Sequence, residues 1–253
     1  DTYGDHNTFM GRYAGLYAGD TDHCIAIGSS ALQGVTFTDS TCDYDDDPTV
    51  THNADTRIVA GLVVSGTGIP VGSIIASITD STHFELNQAT TGGAVTNGTL
   101  TFRSNQGDYN IAIGSYALDA TTTGNHNVAL GYQAGTGVDD GVRNILIGSN
   151  AGAALTDATD NIAIGAYAFD AANGGEHFNI AIGNYSLSTE TNGADGCVAI
   201  GFDALKLQNR AASANTAVGF EAGKAIPAST GGRYSTIMGY SACIGAMTGD
   251  NNT

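Results

Sequence analysis

The sequence predicts an all-β fold, a parallel β-solenoid (β-roll) in which one short coil is repeated along the chain. A nine-residue phrase, Asn-Ile-Ala-Ile-Gly-x-x-Ala-Leu/Gly, returns throughout, and residues 161–169 are one copy. The glycine of this phrase recurs every 17 or 18 residues over most of the chain. With 36 glycines, three prolines and no tryptophan in 253 residues, the composition also indicates a repetitive β protein.

The length of the repeat selects the solenoid. Helical pairs and propeller blades need about 33 to 50 residues per repeat, whereas this repeat suits one coil of short strands and loops. The glycine most simply marks a corner that needs a positive φ or no side chain. It identifies ten coils, at Gly11, Gly28, Gly114, Gly131, Gly148, Gly165, Gly183, Gly201, Gly219 and Gly239.

One step of the repeat is much longer than the others. Gly28 and Gly114 are 86 positions apart, which indicates a module inserted between the second and third coils. We therefore predict coils 1 and 2 in residues 1–34, an inserted small all-β module in 35–105, and coils 3–10 in 106–253. The last two residues, Asn252 and Thr253, fit the start of an eleventh coil.

An asparagine stands four residues before most of the repeat glycines. Stacked coils would place these side chains about 4.8 Å apart, close enough for an amide ladder along the solenoid axis. The predicted structural ladder contains Asn7, Asn110, Asn127, Asn144, Asn161, Asn179 and Asn215.

The three residues between the asparagine and the glycine predict a strand with two apolar faces. Large residues such as Ile111 and Ile113 flank a central alanine, and alternate strand residues share a face. We expect the large residues to fill the coil and the alanines to face another chain, because a strand that is apolar on both faces is covered on both. The alternative is that alanine is merely tolerated towards solvent. The predicted inter-chain contact residues are Ala26, Ala112, Ala129, Ala163, Ala181, Ala199 and Ala217.

The insert contains strand-like runs separated by turn signals. The five pieces are 57–64, 65–70, 73–78, 83–86 and 99–102, and we expect a small β-sandwich or barrel-like module. The preceding stretch, 37–48, is polar and acidic, and we expect it to be a connection. Within it, carboxylates could converge on a hard cation such as Ca²⁺. The candidate ligands are Asp43, Asp45, Asp46 and Asp47, although a solvated acidic loop is the favoured interpretation because the Gly and distal Glu of an EF-hand are missing.

A second group of candidate ligand-binding residues is aromatic. Tyr13, Tyr116, Tyr167 and Tyr185 each lie two residues after a repeat glycine. Stacked rings that fill a corner of the coil are the favoured interpretation, and a sugar-stacking strip is the alternative.

The charge balance excludes several partner classes. The net charge is −17, with only eight Lys and Arg residues, so the phosphates of nucleic acids and anionic membrane surfaces would be repelled. No apolar run approaches the roughly 18 residues of a membrane span. No Ser-His-Asp arrangement, paired-carboxylate cleft or phosphate loop is evident, so we expect no enzymatic activity and no cofactor.

The four cysteines, Cys24, Cys42, Cys197 and Cys243, lack the spacing of a metal site. A bridge between Cys24 and Cys42 would connect the insert to its coil, and free buried thiols are the equally favoured alternative.

The phrase Asn-Ile-Ala-Ile-Gly-x-x-Ala resembles the coil repeat of the YadA-like head of trimeric autotransporter adhesins, and also that of bacteriophage tail fibres. The resemblance covers about 180 residues, and residues 61–78 resemble a β module common in phage tail and bacterial surface proteins. The resemblance of the coil repeat implies a left-handed β-roll with three chains to a fibre, located outside the cell or on a virion.

Adhesin coils are typically shorter, so the longer loops here favour the phage-fibre version. The resemblance then implies a structural shaft for host attachment, with a host-surface glycan or protein as receptor. The alternatives are a bacterial trimeric surface adhesin and a self-assembling extracellular filament whose subunits associate end to end.

Overall fold

The computed structural model describes residues 6–16, 22–34, 36–103, 107–121, 123–172, 175–189, 194–208, 214–224, 232–244 and 250–252. These residues form sixteen β-strands in two sheets and no α-helix, which confirms the all-β prediction. Within the same ranges, no helix is long and apolar enough to cross a membrane.

The strands are β1 (Thr8–Met10), β2 (Ile25–Ile27), β3 (Thr36–Tyr44), β4 (Thr49–Thr51), β5 (Val63–Ser65), β6 (Ile75–Asp80), β7 (His83–Leu86), β8 (Val95–Arg103), β9 (Ile111–Ile113), β10 (Val128–Leu130), β11 (Ile145–Ile147), β12 (Ile162–Ile164), β13 (Ile180–Ile182), β14 (Val198–Ile200), β15 (Thr216–Val218) and β16 (Thr236–Met238).

Ten of these strands, each three residues long, form the predicted parallel solenoid sheet. Their order is β1-β2-β9-β10-β11-β12-β13-β14-β15-β16, and each pairs with the equivalent residues of the next coil. Strand β2 pairs directly with β9, so that Ala26 lies opposite Ala112 and the stacking continues across the insert. An eleventh turn begins as predicted, because the Thr236 N–H donates to Asn252 O at 2.7 Å; Thr253 lies outside the described residues.

The expected direction of the two strand faces is wrong. In β12, Ala163 is completely buried, whereas Ile162 and Ile164 are half-buried. In β11, Ile145 and Ile147 are 38% and 36% exposed. The large residues therefore point outwards. The seven alanines that we expected at an inter-chain contact instead have no exposed area within a single chain and belong to its core: Ala26, Ala112, Ala129, Ala163, Ala181, Ala199 and Ala217.

A column of large residues on the other wall of the coil explains this reversal. Four residues after the repeat glycine, Leu118, Phe169, Leu187 and Leu205 are completely buried and belong to the same core cluster as the alanines. The interior of one coil is narrow, so a large residue on this wall leaves room only for a small residue on the strand opposite. Close packing inside the coil therefore places the alanines inwards.

The inserted module is a six-stranded antiparallel sheet, with the order β5-β8-β3-β4-β7-β6. Phe84, Phe102 and Leu100 are completely buried in its core. The Ile75 N–H donates to Leu62 O at 2.9 Å, and this bond connects the segment before β5 to the start of β6. Hydrogen bonds thus join both edges of the sheet, as expected for a barrel-like module.

The prediction that residues 37–48 form a connection is wrong, because most of this stretch forms strand β3. This strand pairs with β8, and three of its residues are buried: Asp39, Cys42 and Tyr44. Its polar composition concealed the buried positions. Conversely, only Val63 and Val64 of the expected strand 57–64 are in a strand.

None of the four cysteines forms a disulfide among the described residues, so no bridge joins Cys24 to Cys42. Three of them are buried, and Cys243 is exposed. Burial raises the pKa of Cys42 to about 12, and the nearby Asp39 and Asp43 carboxylates add to this rise. The Cys42 thiol therefore stays protonated and unreactive at neutral pH.

Candidate interaction face and asparagine ladder

The asparagines of the repeat form a continuous ladder inside the solenoid. In each rung, the side-chain oxygen of one asparagine accepts the backbone N–H of the equivalent residue in the next coil. The Asn161 N–H donates to Asn144 Oδ1 at 3.1 Å, and the Asn179 N–H donates to Asn161 Oδ1 at 2.9 Å. The side-chain amide completes the rung, because Asn161 Nδ2 donates to Glu176 O at 2.8 Å.

Every residue predicted for the ladder takes part in this pattern. Asn7 and Asn215 accept the backbone N–H groups of Cys24 and Ser235 at 2.8 and 2.9 Å. The central asparagines are completely buried, so the rungs satisfy polar groups that have no access to water. The full column is Asn7, Asn110, Asn127, Asn144, Asn161, Asn179 and Asn215.

A glutamine repairs the ladder where cysteine replaces asparagine. Cys197 has no amide group, but the completely buried Gln208 donates from Nε2 to Cys197 Sγ at 3.1 Å. Gln208 Oε1 in turn accepts from Asn215 Nδ2 at 2.8 Å. The sequence period did not reveal this residue, because Gln208 lies in the loop and outside the repeated phrase.

The repeat glycine forms the corner that follows the strand. Gly148 has φ of +135°, and a Cβ added there would lie 2.5 Å from the backbone oxygen of Gly165 in the next coil. Both the conformation and the contact exclude any side chain, which explains why glycine recurs at this position in all ten coils.

The large strand residues create an apolar surface on the outside of the solenoid, which we call the outer face. It has four columns in each coil: the residue before the asparagine, the first and third strand residues, and the residue after the glycine. Ten strands spaced by about 4.8 Å make the two strand columns roughly 43 Å long.

The two outermost columns, which we call the rims, carry stacked aromatic rings. On the rim before the asparagines, His6, His23, Tyr109 and His126 stack in sequence at centroid distances of 4.8, 4.9 and 4.8 Å. Each of these residues has φ near +60°, which turns the chain sharply before the strand. Further along the same rim, Arg143 forms an ion pair with Asp160 at 2.6 Å.

The rim after the glycines carries Phe202, Phe220 and Tyr240, stacked at 5.2 Å. One position further along, Tyr167 and Tyr185 stack at 5.3 Å with nearly parallel rings. Rings stacked in this way cover one another's faces and present mainly their edges, which favours the corner-filling interpretation over a sugar-stacking strip. Tyr13 and Tyr116 are exposed at the same corner, and Arg12 lies over the Tyr13 ring.

Three of the four acidic candidates for a cation site accept backbone hydrogen bonds. Asp43, Asp46 and Asp47 each accept a backbone N–H, from Asn97, Gly93 and Thr49 respectively, at 2.7–2.8 Å. Asp45 is exposed, and Asp43, Asp45 and Asp47 line one open cleft of about 320 Å³. Among the described residues, no group of three or more His, Cys, Asp or Glu side chains is placed to hold a metal ion.

Comparison of the chain with protein-family models, with curated proteins and with solved structures finds no match. The outer face and the ladder are the two features of the solenoid that bear on its function.

Proposed function

We propose that the chain is the structural shaft of a fibre, built from three copies that bury their outer faces against one another. The outer face supports this proposal, because the isoleucine columns and the aromatic rims lie on it. Contiguous apolar surfaces of more than a few hundred Å² mark interaction sites in soluble proteins. The two strand columns of this face are mostly aliphatic, and their side chains are half-buried or exposed along all ten strands.

A second and third copy of the same chain fit this face better than an unrelated partner. The face repeats with the period of the coil, so a partner that covers its whole length needs the same period. An identical solenoid lying parallel supplies that period, and cyclic symmetry would give every copy the same contacts. The resemblance of the repeat to trimeric fibres and adhesins supports three as the number of copies.

The shaft would act mechanically. The asparagine ladder and the closely packed interior make each coil depend on its neighbours, which suits a rigid spacer outside the cell or on a virion. In a phage tail fibre of this kind, the insert and the loops would contact the host receptor, a surface glycan or protein. The proposal assigns the chain no catalytic role and no cofactor.

The test of assembly is light scattering coupled to size exclusion, repeated over a hundredfold range of concentration. The wild type is expected to be a trimer. Ile162→Glu and Ile180→Glu are expected to give folded monomers, because each places a charge on the outer face. Ile78→Glu, on the exposed strand β6, is the matched control and should remain trimeric.

Wild-type monomers, or trimers that persist in both outer-face variants, would overturn the proposal. Growth without limit as concentration rises would instead support the filament alternative. Attachment is tested separately, by binding to host cells and glycan arrays with and without residues 36–104. Binding that survives this deletion would move recognition from the insert to the solenoid loops.

A further inference from the structure

The inserted module contains a cleft beside strand β5. The cleft has a volume of about 330 Å³. It is lined by strand β5, by residues 66 and 69–72, and by Arg103. Val71 is 85% exposed at the edge of the cleft. Apart from Ser65, Gly66, Gly72 and Arg103, all the lining residues have apolar side chains.

The register of the sheet places Arg103 beside this cleft. Arg103 lies directly opposite Val63 in the antiparallel pair of β5 and β8, and opposite residues share a face. The adjacent pair, Val64 and Phe102, is buried in the core and therefore defines the other face. The Arg103 side chain thus lines the apolar cleft together with Val63.

Arg103 differs from most cations of this protein in having no acidic partner. Arg57 and Arg143 pair with aspartates at 2.5 and 2.6 Å, and both described lysines pair with Asp203. Arg103 forms no ion pair with any residue that the structure describes, and residues 104–106 carry no carboxyl group. In a chain with 25 acidic residues, a cation without an acidic partner is unusual.

One polar atom of this side chain also lacks an acceptor. Arg103 Nε is buried without a hydrogen bond among the described residues. A buried donor without an acceptor is unfavourable, and a carboxylate oxygen bound beside it would satisfy it. A guanidinium group presents its donors as a planar fork that matches the two oxygens of a carboxylate.

We propose that this cleft binds a small organic carboxylate with an aliphatic body. The carboxylate would accept from the Arg103 fork, and the aliphatic part would contact Val63, Ile69 and Pro70. The volume lies at the lower end of the range for small-molecule sites, about 300–1,000 Å³. The same chemistry is offered by a free aliphatic acid and by the C-terminus of a peptide that ends in an aliphatic residue.

The test is a titration followed by NMR chemical shifts of the whole chain, or of methyl groups if the assembly is large. The probes are N-acetylvaline, its neutral amide, and a pentapeptide ending in Gly-Val. N-acetylvaline or the pentapeptide is expected to give saturable shifts of residues that line the cleft, and the amide at least tenfold weaker binding. Binding of the pentapeptide alone would identify a chain terminus as the source of the carboxylate.

Two variants test the role of charge. Arg103→Met removes the fork, and Val71→Glu adds a repelling carboxylate at the exposed edge, so each should weaken binding at least tenfold. Arg57→Met and Ser81→Glu are the matched controls and should bind like the wild type. The proposal is overturned if neither carboxylate probe saturates, if the amide binds equally well, or if both cleft variants bind normally. Circular dichroism establishes that each variant is folded.

Discussion

Leu146 and Gly152 share one space in the core of the solenoid. A Cβ added at Gly152 would lie 2.6 Å from Leu146 Cδ2, so no side chain fits there while Leu146 is present. In the next coil the sizes are reversed, with Ala163 on the strand and Phe169 four residues after the glycine. The coil of β1 has the same arrangement as Leu146 and Gly152, because the Phe9 ring on the strand occupies the space beside Gly15. In these three coils, a large residue at one of the two positions is accompanied by a small residue at the other.

This relationship predicts a reciprocal rescue. Gly152→Leu should destabilise the solenoid through overpacking, by about 1–3 kcal/mol. Leu146→Ala should cost about 2–5 kcal/mol through the cavity that it leaves. The double variant reproduces the Ala/Leu arrangement of β13 and β14, so it should be more stable than the sum of the two losses implies. Its backbone is suitable, because Leu187 and Leu205 adopt the same positive φ as Gly152.

Urea denaturation of the four proteins measures this coupling. Strictly additive losses would show that the two positions do not share their volume.

The ladder predicts that Asn161 is sensitive even to a change of one atom. Asn161→Asp keeps the shape but replaces the Nδ2 donor with an oxygen facing Glu176 O and the neighbouring Asn144 Oδ1. Because both groups are buried, we expect a loss of at least about 1–3 kcal/mol. Asn53→Ala, on the exposed surface of the insert, should change stability by less than about 0.5 kcal/mol. Equal effects of the two variants on thermal unfolding would contradict a structural role for the ladder.

The cysteines predict a simple labelling pattern. Under native conditions a maleimide should modify Cys243 within minutes and leave the other three thiols unmodified, because these are buried. Cys42 should be protected further by its pKa of about 12, which leaves almost no thiolate at neutral pH. In denaturant all four thiols should react. Mass spectrometry counts the labels, and a second fast label would show that one of the buried thiols is accessible.

The buried His52 predicts a loss of stability in mild acid. Burial lowers the pKa of His52 below its ordinary value of 6.5, and neither ring nitrogen has a hydrogen-bond partner among the described residues. The unfolded chain therefore takes up a proton at a higher pH than the folded module does. The stabilising contribution is complete above about pH 6.5 and is lost progressively as the pH falls towards the lower folded-state pKa.

Denaturation midpoints at pH 5, 6, 7 and 8 test this prediction. The wild-type module should lose stability between pH 7 and 5, and His52→Leu should reduce that slope. Identical slopes in the two proteins would assign the acid sensitivity to other groups.

The repeated phrase made much of the solenoid predictable. The glycine positions predicted the coils and the insertion point. The asparagine column predicted the ladder, because equivalent side chains of successive stacked coils lie next to one another. The Gly148 corner followed from the conformational freedom of glycine. Strand β3 was missed because pairing with β8 buries Asp39, a residue whose polarity indicates exposure. Arg103 and Gln208 also gave no signal, because neither belongs to the repeat.

The sequence by itself determined the period, the parallel stacking and the two alternating faces of every strand. It did not determine which face is inside, because alternation specifies only that Ile162 and Ala163 point in opposite directions. The tertiary structure decided this through Phe169 and its counterparts, which fill the far wall of the coil and leave room only for alanine. The isoleucines are consequently outside, and the surface available to a partner is theirs. The choice depends on the shared volume of a coil, which is a property of residues brought together by folding.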